Sequence, residues 1–141
     1  MMGFQAEGAS PIVLGRPISN PTTVASAIRI GNPASWTGAT SARDESKGSI
    51  NAVTDEEILE AQSLLAQREG VFCEPASATS VAGAMRDIKL GKIPEGSSVV
   101  CTLTGHGLKD PDSAIAQCDQ SAMINVNPTL EEVKKAILDQ M

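Results

Sequence analysis

The sequence predicts an α/β fold built on a mostly parallel sheet, and three observations carry that prediction. Short apolar runs alternate with longer amphipathic stretches in the order strand, helix, strand, helix, strand. Such alternation arises from right-handed crossovers that leave the strands parallel. The run Val99-Val100-Cys101, inside Ser98 to Thr104, lacks polar alternation, as expected of a strand covered on both faces. Aromatic residues are scarce, with one Trp, two Phe and no Tyr among 141 residues. The core must then be made of Ala, Val, Ile and Leu, which let helices lie closely on a sheet. A chain of this length forms one domain.

Residues 3–6 predict a short strand, and Pro11, Gly15, Pro17, Asn20 and Pro21 then punctuate an irregular connection. Thr23 to Ile30 is Ala-rich and predicts a short helix that stops before Gly31-Asn32-Pro33. Pro33 to Gly38, around the only Trp, reads as loop. Ser41 to Lys47 predicts a turn or two of helix ending at Gly48, and Ile50 to Val53 a short strand. Thr54-Asp55-Glu56-Glu57 is a capping box, with a Thr hydroxyl and a Glu carboxylate placed to satisfy each other's backbone N–H. Ile58, Ala61, Leu64 and Leu65 follow at helical spacing, and Gly70 closes the helix.

Val71-Phe72-Cys73 predicts a buried strand stopped by Glu74-Pro75. Ser77 or Thr79 then caps a second helix carrying Val81, Ala82, Met85 and Ile88, closed by Gly91. Ser98 to Thr104 predicts the next strand, running into Gly105-His106-Gly107. Thr129 with Glu132 predicts a second capping box, for a last helix with Leu130, Val133, Ile137 and Leu138 on one stripe.

Charge and composition exclude several classes of function. The chain carries 11 basic and 17 acidic residues, net −6, with no Lys/Arg cluster, so nucleic acid is not an expected partner. No apolar run approaches the roughly 20 residues that span a bilayer, so no membrane role is expected. Met1 to Glu7 has neither the basic nor the apolar region of a secretory signal. Cys73, Cys101 and Cys118 are odd in number, widely spaced and free of any Cys-x-x-Cys pair. They point to a reducing, cytoplasmic setting and to no metal site.

Ligands of open α/β sheets bind beyond the carboxyl ends of the strands, and two such ends carry chemistry here. One is Cys73-Glu74-Pro75-Ala76-Ser77-Ala78, leading into a helix. The other is Thr102-Leu103-Thr104-Gly105-His106-Gly107, where Thr104 offers a hydroxyl and the glycines allow close approach to a flat ligand. Against each stands a plainer reading: Ser77 as a helix cap, Gly105-His106-Gly107 as a turn, and His106 as a backbone-bonded loop histidine. Arg29, isolated among Ala and Ile, calls for an anionic or carbonyl partner.

Three stretches go beyond pattern: Ala27-Ile28-Arg29-Ile30-Gly31-Asn32-Pro33-Ala34-Ser35-Trp36, Phe72-Cys73-Glu74-Pro75-Ala76-Ser77-Ala78 and Thr102-Leu103-Thr104-Gly105-His106-Gly107-Leu108-Lys109-Asp110-Pro111. In this order they strongly resemble the threonine synthase family, and Gly3-Phe4-Gln5-Ala6-Glu7-Gly8-Ala9 fits it too. The likeness covers nearly the whole chain and is weakest after about Asp112. It implies a pyridoxal-phosphate enzyme of the tryptophan-synthase-β-like fold, a three-layer α/β/α domain. The family converts O-phosphohomoserine and water into threonine and phosphate. By motif match, Thr104 corresponds to the residue that hydrogen-bonds the pyridine nitrogen of the cofactor. Gly105 lies beside the ring, the Ala27-Ile28 backbone against a ring face, and Glu74 at the cofactor's border.

The family's Schiff-base lysine and glycine-rich phosphate loop have no counterpart here. Lys47, Lys89, Lys92, Lys109, Lys134 and Lys135 lie in predicted turns, polar helix faces or loop, outside the family's lysine motif. The resemblance therefore implies that residues 1–141 are the carboxyl-terminal portion of the catalytic large domain, truncated relative to the full fold. It implies no catalytic residue in this chain and inactivity without the missing amino-terminal portion, and the sheet edges bared by such a truncation predict homo-oligomerisation. A stand-alone, non-catalytic small-molecule binding or regulatory module is the alternative. The full Gly-Asn-Pro-Ala-Ser-Trp stretch disfavours a dehydratase or cysteine synthase.

Overall fold

β1 (Met2–Ala6) and β2 (Ser49–Val53) pair in parallel in a computed structural model describing residues 1–118 and 124–138. Met2 stands opposite Ser49 and Ala6 opposite Val53. Between these strands run a 3-10 turn (Glu7–Ala9), α1 (Pro11–Leu14), a second 3-10 turn (Ser26–Ile28) and α2 (Trp36–Glu45). After β2 come α3 (Asp55–Glu69), α4 (Pro75–Lys89), a third 3-10 turn (Gly107–Lys109), α5 (Pro111–Gln117) and α6 (Leu130–Leu138). The α/β class and the parallel pairing are as the sequence predicts.

Asp55 holds the irregular stretch after Pro21 to the start of α3. Its carboxylate accepts from the Thr23 hydroxyl at 2.5 Å and from the Val24 N–H at 3.0 Å. The Thr23 hydroxyl in turn accepts from the Ala25 N–H at 3.1 Å. These bonds take up groups that a helix would use, so the helix expected over Thr23 to Ile30 shrinks to the turn Ser26–Ile28. α2 corrects a second expectation, since it begins at Trp36, inside the stretch read as loop. Gly38 and the lack of an apolar stripe concealed it. Contact with β2 stabilises it instead.

α3 begins with the complete capping box. The Glu57 N–H donates to the Thr54 hydroxyl at 3.2 Å, and the Thr54 N–H to the Glu57 carboxylate at 2.8 Å. Gly70, at φ 66°, ends it in the left-handed conformation. Thr54→Ala is expected to lower stability by about 1 kcal/mol, read as a shift in urea midpoint at constant slope. α4 begins at Pro75 with Glu74 in the cap position, not at Ser77 or Thr79. Its Gly83 lies directly under the Phe4 ring, where any Cβ would overlap the aromatic carbons, so α4 sits very close to β1. Arg86 donates to the Ala52 carbonyl, and buried Asp87 faces the Lys92 ammonium at 3.4 Å. Ala6, Val53, Ile58, Ala61, Ala78 and Ala82 form the centre of the core.

The strands expected over Val71 to Cys73 and Ser98 to Thr104 do not form. The first makes one antiparallel bridge, Cys73 with His106. The second is an extended run with Val100 93% exposed. Strand-prone residues need a neighbouring strand to become one, and Ser97 to Thr102 instead line an open groove of about 700 Å³ whose far wall is Met1 to Phe4. The run is tethered to α4, with the Ser80 hydroxyl donating to the Thr102 carbonyl at 3.2 Å. At α6 only half of the second capping box exists. The Glu132 N–H reaches the Thr129 hydroxyl at 3.4 Å, while the Glu132 carboxylate accepts from the Asn127 N–H and side-chain amide. Those bonds hold the Glu132 carboxyl below the usual carboxylate range.

Candidate functional site

The segment 102–107 folds back against Phe72-Cys73-Glu74. The Glu74 N–H donates to the Gly105 carbonyl at 3.0 Å and the Gly107 N–H to the Phe72 carbonyl at 3.1 Å. This pairing brings the two chemically loaded ends together at the start of α4. Ser77, in the first turn of that helix, accepts from the Gly105 N–H at 2.7 Å. Its oxygen also lies 3.2 Å from the Thr104 hydroxyl and 3.4 Å from the Gly105 carbonyl. Thr104 itself is exposed.

Gly105 and the Glu74 side chain share one space. A Cβ there would collide with the Glu74 carboxylate, which lies against the glycine Cα. Glu74 is only 6% exposed, and no hydrogen bond or ion pair reaches its carboxylate among the described residues.

Gln62 supports the site from below. Its amide donates to the Cys73 carbonyl at 2.8 Å and accepts from the Gln117 amide at 2.6 Å, so a buried polar side chain is satisfied at both ends.

The turn Ser26–Ile28 packs on α4, and the Ser26 hydroxyl donates to the Asp110 carboxylate at 3.1 Å. Ile28 packs against the core and Ala27 is exposed. Thr104, Gly105 and Glu74 are thus in one hydrogen-bonded or touching group, while Ala27 and Ile28 approach the same helix without bonding to them. Sequence reasoning read Ser77 as a cap. It is the residue that ties Thr104 and Gly105 to the first turn of α4, and its one sequence signal is its position two residues after Pro75.

The remaining candidates take their plainer readings. The His106 ring nitrogen Nδ1 accepts from the Leu108 N–H at 3.1 Å, and the ring meets Phe72 edge-on at 5.5 Å between centroids. Burial pushes the Cys73 and Cys101 thiols up from their ordinary value, which suppresses the reactive thiolate. Arg29 has no charged partner among the described residues. Among those residues, too, no cluster of three His, Cys, Asp or Glu could hold a metal, and no helix is long and apolar enough to cross a membrane.

The sequence profile of the family described as pyridoxal-phosphate dependent enzyme matches residues 1–105. Over 137 residues the chain is 54% identical to a threonine synthase of Synechocystis sp., covering 97% of this chain and 35% of that protein. It is 55% identical to a threonine synthase of Halalkalibacterium halodurans, covering 100% of this chain and 38% of the relative. A threonine synthase of Methanocaldococcus jannaschii is 46% identical, covering 100% and 36%. The chain spans about a third of the length of the curated relatives it matches. Among solved structures, a T.th. threonine deaminase superposes with a TM-score of 0.53 at 24% identity, over 62% of this chain and 34% of that one. That likeness is one of fold.

Proposed function

Since the chain belongs to the pyridoxal-phosphate dependent enzyme family, we propose that the end formed by Glu74, Ser77, Thr104 and Gly105 is one side of a cofactor site in a threonine synthase. It is the side that meets the pyridine nitrogen. The observation carrying this reading is the hydroxyl pair, with Thr104 exposed and Ser77 behind it at 3.2 Å. When bound, pyridoxal phosphate supplies a conjugated ring that draws electron density from the substrate. The substrate of this reading is O-phosphohomoserine, which with water gives threonine and phosphate.

The chain's own part is positional. Ser77 accepts from the Gly105 N–H and has one hydroxyl proton to give. Given to the Thr104 oxygen, that proton leaves the Thr104 hydroxyl free to donate to an acceptor nitrogen. A neutral hydroxyl, unlike a carboxylate, does not draw a proton onto that nitrogen. Gly105, without a side chain, lets the ring lie close to the backbone, and Glu74 stands at the border. The Ala27-Ile28 backbone covers a ring face. The lysine and phosphate-binding loop are assigned to the part of the relatives that this chain does not match, and the chain is inactive without them.

The test combines this chain with the separately produced remainder of the Synechocystis threonine synthase. Thr104→Ala is expected to weaken retention of pyridoxal phosphate about fivefold, the worth of roughly one neutral hydrogen bond, and to slow phosphate release from O-phosphohomoserine. Retention and release equal to the unmodified chain's would overturn the reading.

A further inference from the structure

We propose that the outer edge of β2 is a pairing surface for a second copy of this chain, and that Arg86 holds it shut.

The direction of the ladder bonds defines that edge. The Ser49 N–H donates to the Met1 carbonyl at 3.2 Å. Ser49, Asn51 and Val53 therefore turn their backbone groups to β1, while Ile50 and Ala52 turn theirs outward. Among the described residues β2 ends a sheet of two strands. The Ile50 N–H, the Ile50 carbonyl and the Ala52 N–H have no partner among those residues. The strand itself carries no charge, no proline and no bulge, the usual devices that keep an edge from pairing.

The fourth outward group is the exception. The Ala52 carbonyl accepts from the Arg86 guanidinium, which reaches it from α4. Arg86 is anchored where it stands. Its guanidinium carbon lies 5.7 Å from the centre of the Phe4 ring, and its Nε is 3.6 Å from the Asp87 carboxylate. A positive charge fixed on an edge carbonyl takes the acceptor that an incoming strand needs, and repels the same charge on a second copy.

Charge and symmetry name the occupant. A two-fold, antiparallel partner centred on Asn51 sets Ile50 of each copy opposite Ala52 of the other, so that all the outward backbone groups pair. The same register brings Lys47 of each copy to Asp55 of the other, since the two are equally far from Asn51. Lys47 is exposed and joins no ion pair among the described residues. Asp55 accepts from the Thr23 hydroxyl and the Val24 N–H, both uncharged, and so keeps its negative charge for a cation. A parallel partner would set Lys47 beside Lys47 instead. Two-fold pairing also closes, leaving no further β2 edge, and it turns two sheets of two strands into one of four.

The experiment is sedimentation equilibrium with residue-resolved amide exchange, on the unmodified chain and on Arg86→Met, which keeps an apolar stem without the charge. In the unmodified chain, exchange at Ile50 and Ala52 is expected not to change with concentration. In Arg86→Met it should slow at least about tenfold as concentration rises. Self-association of the variant should be tighter by at least about tenfold, the worth of one hydrogen bond to a charged group. Arg86→Gln, with a neutral polar tip, should pair in the same way and serves if circular dichroism shows Arg86→Met unfolded. Adding Lys47→Glu to either variant sets like charges opposite each other twice, and should loosen the pairing about tenfold. Protection of Ile50 and Ala52 that rises with concentration in the unmodified chain overturns the role of Arg86. Variants whose Ile50 and Ala52 amides stay fast overturn the pairing surface, whether they remain single or associate through Met2–Phe4 or Ser98–Thr104. Double variants that pair as tightly as their parents overturn the two-fold register.

Discussion

Gly105→Ala is expected to cost about 2 kcal/mol of stability and to abolish any retention of pyridoxal phosphate at the proposed site. The added Cβ meets the Glu74 carboxylate and its supporting carbons. Glu74 is the cap residue of α4, its N–H is bonded to the Gly105 carbonyl, and its side chain is buried. Relief comes from turning the Glu74 side chain out of its buried place or from moving the backbone of 104–106 outward, and the second breaks the bond from the Gly105 N–H to Ser77 and swings the Thr104 hydroxyl off its partner. Urea unfolding followed by circular dichroism reads the first effect, and equilibrium dialysis with pyridoxal phosphate reads the second in the mixture described above. An alanine variant as stable as the unmodified chain would mean that Glu74 readily swings out.

Ile58→Ala carries the largest expected loss of stability, about 3 kcal/mol. Ile58 is fully buried and lies where α3, β2 and α4 meet, among Val53, Ala61, Ala78 and Ala82. The surrounding alanines are too small to collapse into the space left, so the cavity remains and its cost is added to the lost transfer energy. Small domains hold only about 5–15 kcal/mol in total, and a sheet of two strands has little in reserve. Ile137→Ala on α6, where the side chain is 57% exposed, should change stability by no more than about 0.5 kcal/mol. Thermal melting of the two variants side by side separates burial from side-chain identity.

The elements readable from sequence were those whose signals are local. The box Thr54–Glu57, the stripe Ile58-Ala61-Leu65 and Gly70 lie within one helix and its ends, and α3 has those bounds. Residues 3–6 and Ile50–Val53 mark both strands to within one residue at each end. What escaped depends on distant partners. Ser98 to Thr104 has the composition of a strand but lacks a neighbour, and composition makes no hydrogen bonds. Thr23 and Val24 are drawn from helix by Asp55, more than thirty residues away.

The candidate site divides in the same way. Thr104 and Gly105 were readable because a hydroxyl and a glycine at a run's end are chemically distinctive. Glu74 reads from sequence as a border residue, but its burial against Gly105 exists only in three dimensions. Ser77 was hidden because a serine in the first turn of a helix looks the same whether it caps that helix or, as here, bonds the Thr104-Gly105 segment opposite. Ala27 and Ile28 reach α4 by packing of the turn Ser26–Ile28 against that helix, for which no spacing rule exists.

Gln62 gives the molecule a one-way polar thread. An amide has distinct donating and accepting ends, so the order from Gln117 through Gln62 to the Cys73 carbonyl cannot be reversed without breaking both links. α5 is thereby geared to the peptide group immediately before Glu74. A small rotation of that peripheral helix arrives at the rim of the site as a pull on one carbonyl oxygen.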